Sequence, residues 1–345
     1  MFFKKPLLGL DLGSSSVKIA DLKVSGKRAI LNDLNMVPVP KGAIEAGDIL
    51  TPEVVASCLR TISDRKGYKK YPVAVGMFGG AVLVKKITMP KMDPKIVHEQ
   101  LRWEAEQYIP FNIDESVFDF HIITSSSAET MDVLLVAARQ EHIFRYFESV
   151  ETADLKCSIV DVNGLALANC FEFNYGVVPG TVALVNIGAS VTNLVIIDSG
   201  SVVFSRDIPY GGQLYDTEIS RDLGVGLQEA ESLKIGMSFQ QETPQEVMTA
   251  VGNINDTLAM EINNSFDFYK SSGATQSVSQ IFTSGGVIRT PGLMQKIQET
   301  TGTSCTLLDP FLRVEVNPKK ISAELKEQIR LFCPVAIGLG LRSSK

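Results

Sequence analysis

The sequence predicts an α/β protein of two duplicated lobes around a cleft, with a small α+β subdomain inserted in the first. The main observation is a pair of β-hairpin loops of one design, about half a chain apart. One reads Gly9-Leu10-Asp11-Leu12-Gly13-Ser14-Ser15-Ser16-Val17-Lys18-Ile19-Ala20, the other Val185-Asn186-Ile187-Gly188-Ala189-Ser190-Val191-Thr192-Asn193-Leu194-Val195. Asp11 and Asn186, Gly13 and Gly188, and Ser15 and Ser190 keep one spacing. Each loop joins two apolar strands, and the second strand ends in Ser25-Gly26 or Ser199-Gly200. Such a repeat implies two related halves facing each other. The second observation is that helix and strand signals of their own interrupt the first half after residue 88. The length, 345 residues, suits two lobes.

Residues 7–37 read as strands around the first loop. Thr51 caps a helix opened by Pro52; Val54, Val55, Cys58, Leu59 and Ile62 share one face, and Gly67 stops it. Strands over 72–76 and 81–88 complete a first lobe of 1–88, to which a segment at 158–180 returns. The inserted subdomain is expected over 89–157. Asp93-Pro94 starts a helix with Ile96, Val97, Leu101, Ala105 and Tyr108 at helical spacing, and Pro110 ends it. A strand begins at Val117 and another covers 133–138, with Ser125-Ser126-Ser127 as the loop between them; a helix over 141–150 follows.

The second lobe spans 181–345. Helices over 212–223, 227–237 and 244–269 form a helical subdomain at about 212–275. A buried strand from Ser279 through Ser284 ends at Gly285-Gly286, Pro291 opens a further helix, and a Gly- and Ala-rich helix at 334–342 closes the chain.

Composition narrows the function. The chain is 45% hydrophobic and 21% charged, with a net charge of −6. That argues against a broad nucleic-acid surface and against electrostatic docking to anionic lipid. His98, His121 and His142, and Cys58, Cys157, Cys170, Cys305 and Cys333, show no metal-ligand spacing. The cysteines read as core thiols of a reducing cytoplasm. The start Met1-Phe2-Phe3-Lys4-Lys5-Pro6 lacks the pattern of a signal peptide, and no apolar run reaches membrane-spanning length. The expected location is the cytoplasm, unless a partner carries the protein to a membrane.

The chemistry gathers on the paired loops. Their turns offer Gly conformations, backbone N–H groups and the hydroxyls of Ser14, Ser15, Ser16 and Ser190, which suit anionic oxygens. The expected ligand is a nucleotide polyphosphate held between them. No Gly-x4-Gly-Lys-Ser/Thr or Gly-x-Gly-x-x-Gly competes; Gly224-Val225-Gly226 and Gly338-Leu339-Gly340 lack the third glycine. Asp11 is an acid at an apolar strand end and needs a partner. Mg2+ through water is one candidate, the Gly13 turn another. Lys18 follows the turn, either reaching a β- or γ-phosphate or standing as an exposed strand lysine. Glu231 and Lys234 share a helix face, to bracket a ribose or to form an ordinary ion pair. Gly285-Gly286 permits close approach of a base or phosphate. Trp103, the sole tryptophan, either packs in the core, which its setting favours, or lines a groove for an apolar peptide.

In that order these segments resemble the actin, Hsp70 and sugar kinase superfold, and within it the PilM family of type IV pilus assembly proteins. The more specific marks are Phe2-Phe3-Lys4-Lys5 before the first loop, Arg102-Trp103-Glu104-Ala105-Glu106-Gln107-Tyr108-Ile109-Pro110-Phe111, Pro209-Tyr210-Gly211-Gly212 and Ala230-Glu231-Ser232-Leu233-Lys234. The resemblance covers nearly the whole chain and implies an actin-like ATPase fold with ATP or ADP and Mg2+ between the lobes. By motif match, Asp11, Gly13, Ser14, Ser15, Ser16 and Lys18 form the first phosphate segment and Asn186, Gly188 and Ser190 the second. Glu231 and Lys234 fall on the ribose side, and Gly285 and Gly286 form the adenosine turn. It further implies docking of the cytoplasmic N-terminal peptide of PilN near the insertion, contacts with other inner-membrane and motor proteins of the pilus, and recruitment to the inner membrane. Self-association is compatible with it. Asn186 stands where active ATPases of the superfold usually carry Asp, and Asn is no general base, so slow or no hydrolysis is expected. Two alternatives stay open: an FtsA-like division protein, disfavoured because the chain stops just after the closing helix, and a sugar or acetate kinase, for which Asp161 and Asp207 are the nearby carboxylates.

Overall fold

The computed structural model describes residues 7–123, 129–274 and 276–342. The start at 2–5, the serine loop at 125–127 and the end at 343–345 lie outside them. The chain opens with an antiparallel meander, β1 (Leu8–Leu12), β2 (Ser16–Ser25) and β3 (Arg28–Pro38). A short hairpin, β4 (Ile44–Glu45) and β5 (Asp48–Ile49), leads to α1 (Pro52–Lys66). Thr51 holds the N-cap position of α1 without a side-chain cap bond, so Pro52 in the first turn sets the start. Gly67 closes the helix at φ 71°, a left-handed conformation that glycine adopts without strain. β6 (Pro72–Met77) then runs parallel to β1.

The insertion comprises β7 (Val82–Pro90), α2 (Pro94–Ala105), β8 (Ser116–Ile123) and β9 (Thr130–Arg139), with sheet order β7-β9-β8. Its start lies earlier than residue 89, because β7 pairs with β9 from Val82↔Ala138 to Pro90↔Thr130. Asp93 caps α2 by accepting the Lys95 N–H at 2.9 Å, and Val97, Leu101 and Ala105 are buried in the small core. The helix stops at Ala105, short of Pro110. Ile109 turns inward, and Tyr108, beyond the helix, lies under the Lys85 ammonium at 4.4 Å. Trp103 corrects the core expectation: it is 71% exposed. It sits two residues from the buried Leu101 and Ala105, on the opposite face of a helix turning every 3.6 residues.

The chain re-enters the first lobe before residue 158. α3 (Gln140–Thr152) packs on α1 and on β10 (Lys156–Val162). Tyr146 and Val150 of α3 are fully buried in the first-lobe core, and the Tyr146 hydroxyl donates to the Gly47 carbonyl at 2.8 Å. β10 joins β6 in parallel, and α4 (Asn163–Tyr175) crosses toward the second lobe.

The second lobe repeats the first. β11 (Thr181–Ile187), β12 (Thr192–Asp198) and β13 (Ser201–Ile208) form its meander. Helices α5 (Gly212–Leu223), α6 (Leu227–Ser238) and α7 (Gln245–Ser271) follow, then β14 (Gln280–Ser284), α8 (Leu293–Thr301) and β15 (Ser304–Leu307). Gly292 rather than Pro291 holds the N-cap position of α8. Sheet order β13-β12-β11-β14-β15 matches β3-β2-β1-β6-β10, strand for strand.

The last segment returns to the first lobe, unlike the expected boundary. β16 (Val314–Val316) adds to β3, α9 (Ala323–Ile329) follows, and α10 (Pro334–Gly340) lies on β1 and α4. A Cβ on Gly338 would stand 1.8 Å from the Ala166 carbonyl oxygen, and one on Gly9 1.9 Å from that of Ala336. The small residues that mark this helix therefore let three backbones meet. α4 and α10 thus share a core with both sheets, including Leu22, Leu184, Phe171 and Ile337.

Candidate nucleotide cleft

The two loops meet. Ser14 Oγ and Ser190 Oγ lie 2.6 Å apart, one hydroxyl donating to the other. Both turns close in the same way: the Gly13 N–H donates to the Ser16 carbonyl at 3.1 Å, and the Gly188 N–H to the Val191 carbonyl at 3.0 Å. A Cβ on Gly13 would stand 3.1 Å from that Ser16 oxygen, and one on Gly188 2.9 Å from that of Val191. Each loop is braced from outside through its carbonyls. The Val39 N–H holds Ser15, while the Gly212 and Gln213 N–H groups hold Gly188 and Ala189. The Pro209-Tyr210-Gly211-Gly212 motif is therefore a seat for the second loop.

Asp11 has a protein partner that neither candidate named. Lys18, directly opposite in the hairpin register, donates to Asp11 Oδ2 at 2.9 Å; Asp11 is buried and the Lys18 side chain is 12% exposed. Among the described residues no group of three or more His, Cys, Asp or Glu could hold a metal. Mg2+ fits here only as an ion carried in by phosphate and held through water by Asp11, as its preference for retained waters allows.

Asn186 and Asn193 occupy the equivalent register positions of the second hairpin. Asn186 Nδ2 donates to Asn193 Oδ1 at 3.1 Å, and Ser284 Oγ donates to Asn186 Oδ1 at 3.0 Å. Asn193 Nδ2 in turn donates to Asp207 Oδ1 at 2.7 Å, and Asp207 Oδ2 accepts the Gly79 N–H at 2.6 Å. Burial pushes the Asp207 carboxyl above its usual range, opposed by these two donors. Asp161 sits beside Gly76 at the end of β10 and is paired with Arg342 at 3.3 Å; burial raises its carboxyl too.

Glu231 and Lys234 do not pair with each other. Lys234 forms a buried ion pair with Asp216 at 2.5 Å and donates to the Gly212 carbonyl at 3.1 Å. Burial raises the Asp216 carboxyl, and the Lys234 charge opposes that rise. Glu231 reaches across to Lys41 of the first lobe at 3.1 Å. Gly285, at φ 93°, donates its N–H to the Leu331 carbonyl, and a Cβ there would stand 2.2 Å from the Ile187 carbonyl oxygen. Gly286 lies against the Phe332 ring, which Arg289 caps at 4.8 Å. The loops, the Gly-Gly turn and Lys234 converge: a Cβ on Gly212 would be 3.0 Å from Val287 and 3.6 Å from Lys234 Nζ. Sequence reasoning missed Lys41, Asp216, Arg289 and Phe332, which lie in no motif.

The family model described as type IV pilus assembly protein PilM matches residues 9–344. The chain belongs to the PilM family. A solved PilM-PilN type IV pilus biogenesis complex contains a chain 26% identical to it, covering 99% of both at a TM-score of 0.87. Cell division protein FtsA of Bacillus subtilis (strain 168) is 21% identical, covering 88% of this chain and 78% of FtsA. Ethanolamine utilization protein EutJ of Carboxydothermus hydrogenoformans, 13% identical with TM-score 0.56 over 98% and 89% of the chains, shares the fold alone. This PilM-family chain thus has the actin-like fold that its paired loops imply. No helix of its described residues is long and apolar enough to cross a membrane.

Proposed function

We propose that this chain is an ATP-binding scaffold of the type IV pilus inner-membrane assembly. It binds ATP or ADP between its lobes, docks the cytoplasmic N-terminal peptide of a PilN-type membrane protein, and links that platform to cytoplasmic motors. The observation that carries the nucleotide part is the contact of two like-built Gly-Ser turns at Ser14 and Ser190, with Lys18 and Lys234 beside them. Hydroxyls and ammonium groups form a donor set for a polyanion, and the Gly13 and Gly188 turns leave space that a side chain would fill. Ser14, Ser15, Ser16, Ser190 and Lys18 would hold phosphates, Glu231 and Lys234 the ribose, and Gly285 and Gly286 the base. Mg2+, when bound, offsets phosphate charge, and Asp11 would orient its waters.

Hydrolysis is slow in this reading. Asn186 is committed at both ends of its amide and takes up no proton. The two carboxylates the kinase alternative would draw on have partners here, Asp161 with Arg342 and Asp207 with Asn193 and Gly79. The partner reading rests on likeness to the chain of the PilM-PilN complex, and places the groove beside the insertion.

Excision tests both parts at once. The Arg139 N–H donates to the Ala81 carbonyl at 3.2 Å, so the ends of the insertion adjoin and a short linker can replace 82–139. The excised protein should still gain about 2.7 kcal/mol of stability from Mg-ATP at a hundredfold excess over Kd. It should no longer bind a synthetic PilN N-terminal peptide that the intact protein binds. Loss of ATP stabilisation from intact protein would overturn the nucleotide reading. Peptide binding retained by the excised protein would overturn the groove.

A further inference from the structure

Five groups form one hydrogen-bonded line across the floor of the cleft. Ser284 bonds Asn186, Asn186 bonds Asn193, Asn193 bonds Asp207, and Asp207 accepts from Gly79, with every distance between 2.6 and 3.0 Å except the 3.1 Å link of the two asparagines. The line starts one residue before Gly285-Gly286, passes the base of the second loop, and ends in the other lobe. Its far end is at the root of the insertion. The Gly79 carbonyl accepts the N–H of Val82, the first residue of β7, and Arg139, the last of β9, donates to Ala81.

The line is not free to relax at either end. Gly285 is wedged on Ile187. Gly79 holds φ 95° with its Cα facing the Ala46 carbonyl, where a Cβ would stand 2.0 Å from the oxygen. Ser284 is fully buried and Asn193 nearly so. Groups in such a setting keep their partners, because an unmade bond costs the full desolvation penalty. A displacement of the second loop or of the Gly-Gly turn is therefore passed to Gly79, or it breaks the line.

We propose that Ser284, Asn186, Asn193, Asp207 and Gly79 form a strut through which the state of the cleft sets the position of the inserted subdomain. The inference rests on the nucleotide reading above. It adds that the docking module is wired to the second loop, although the insertion grows from the first lobe. Asp207 is a positioning residue here: its two oxygens join the lobes.

Amide exchange reads this directly, because the Gly79 N–H is itself a member of the strut. Full-length protein with and without Mg-ATP is compared by hydrogen exchange over residues 79–90, with thermal shift as the independent measure of ATP binding. Wild type should show ATP-dependent change in exchange at 79–90 of about fivefold or more, the lower end of ordinary coupling between sites. Asp207→Ala should bind ATP, seen as a wild-type thermal shift, and lose most of that change. Asp207→Asn should keep it. Its carbonyl still accepts from Gly79, and the asparagine amides can reverse so that each link retains one donor and one acceptor. If Asp207→Ala binds ATP and 79–90 responds as in wild type, the strut does not carry the coupling. The strut is equally overturned if ATP stabilises wild type and leaves 79–90 unchanged. If ATP does not stabilise wild type, the nucleotide reading falls and the strut with it.

Discussion

The two hairpins share a register and a turn, and differ in what fills one cross-strand pair. In the first lobe the pair is Asp11 and Lys18, a buried ion pair at 2.9 Å; in the second it is Asn186 and Asn193, a neutral amide pair at 3.1 Å. Each pair is seven residues apart in sequence and sits at the mouth of the same sheet position. Their surroundings account for the difference. Asp11 and Lys18 complete each other's charge. Asn193 lies beside Asp207, so a carboxylate at 186 would set two acidic groups about a single amide. One pair carries formal charges that cancel, and the other is neutral and belongs to a hydrogen-bonded line that reaches Gly79 of the first lobe. The repeat keeps the register and changes the chemistry of one cross-strand pair.

The comparison breaks most sharply at the ion pair. Lys18→Met leaves the Asp11 carboxylate buried without its counter-charge. Unfolding free energy should fall by about 3–5 kcal/mol, the usual cost of stranding one member of a buried pair. Asp11→Asn with Lys18→Met should recover most of the loss, because both charges have gone. Denaturant unfolding of the two single variants and the double variant gives the coupling. A loss in the double variant equal to the sum of the two single losses would show that the pair is not coupled and that Asp11 is held by something else.

The second loop should respond less. Asn186→Asp gives Asn193 an acceptor on each side, while its amide can turn its NH2 toward only one. One acceptor is left unmatched, at a cost of about 1–3 kcal/mol. Asp207→Asn in the same chain should restore the loss, since Asn193 then donates to Asp at 186 and accepts from Asn at 207. Basal ATP turnover should rise with Asp at 186, which supplies the proton acceptor that Asn lacks, with ATP affinity similar. Phosphate release at steady state measures it. A wild-type rate already above about 1 s⁻¹ would remove the argument from Asn186.

Much of this was legible in the sequence. The spacing of Asp11, Gly13 and Ser15 against Asn186, Gly188 and Ser190 located both hairpins. The strand before Gly285-Gly286 and the span of α5 also followed from local pattern, because turns and helix stops are written in neighbouring residues. What local pattern does not encode is which distant surface an apolar face meets. The helix at 140–152 has a face that equally suits the insertion, and its distant partners assign it to the first lobe: α1, β10 and the Gly47 carbonyl that accepts from Tyr146. Position in the chain puts the closing helix in the second lobe, yet Gly338 and Gly340 fit it to α4 and β1. Site partners were lost in the same way. Glu231 and Lys234 share a helix face, but Lys41 of the other lobe claims the first and Asp216 of the preceding helix the second.

The pair formed by Lys41 and Glu231 gives the smallest effect and a control for the others. It spans the lobes like Ser14 and Ser190, with an N–O distance of 3.1 Å, but its side chains are 51% and 37% exposed. Water and salt screen such a pair, and exposed ion pairs contribute about 0–1 kcal/mol. Lys41→Ala should therefore leave global stability nearly unchanged and, if the lobes part to release nucleotide, speed ATP release by no more than about fivefold at low salt. At 1 M salt, where the screening length shrinks to about 3 Å, mutant and wild type should release ATP at the same rate. The pair at Asp11 and Lys18 should keep its effect at that salt concentration, because solvent ions do not enter a buried site. A release rate that rises tenfold or more in Lys41→Ala, or a difference that survives 1 M salt, would mean that Lys41 contacts the nucleotide itself.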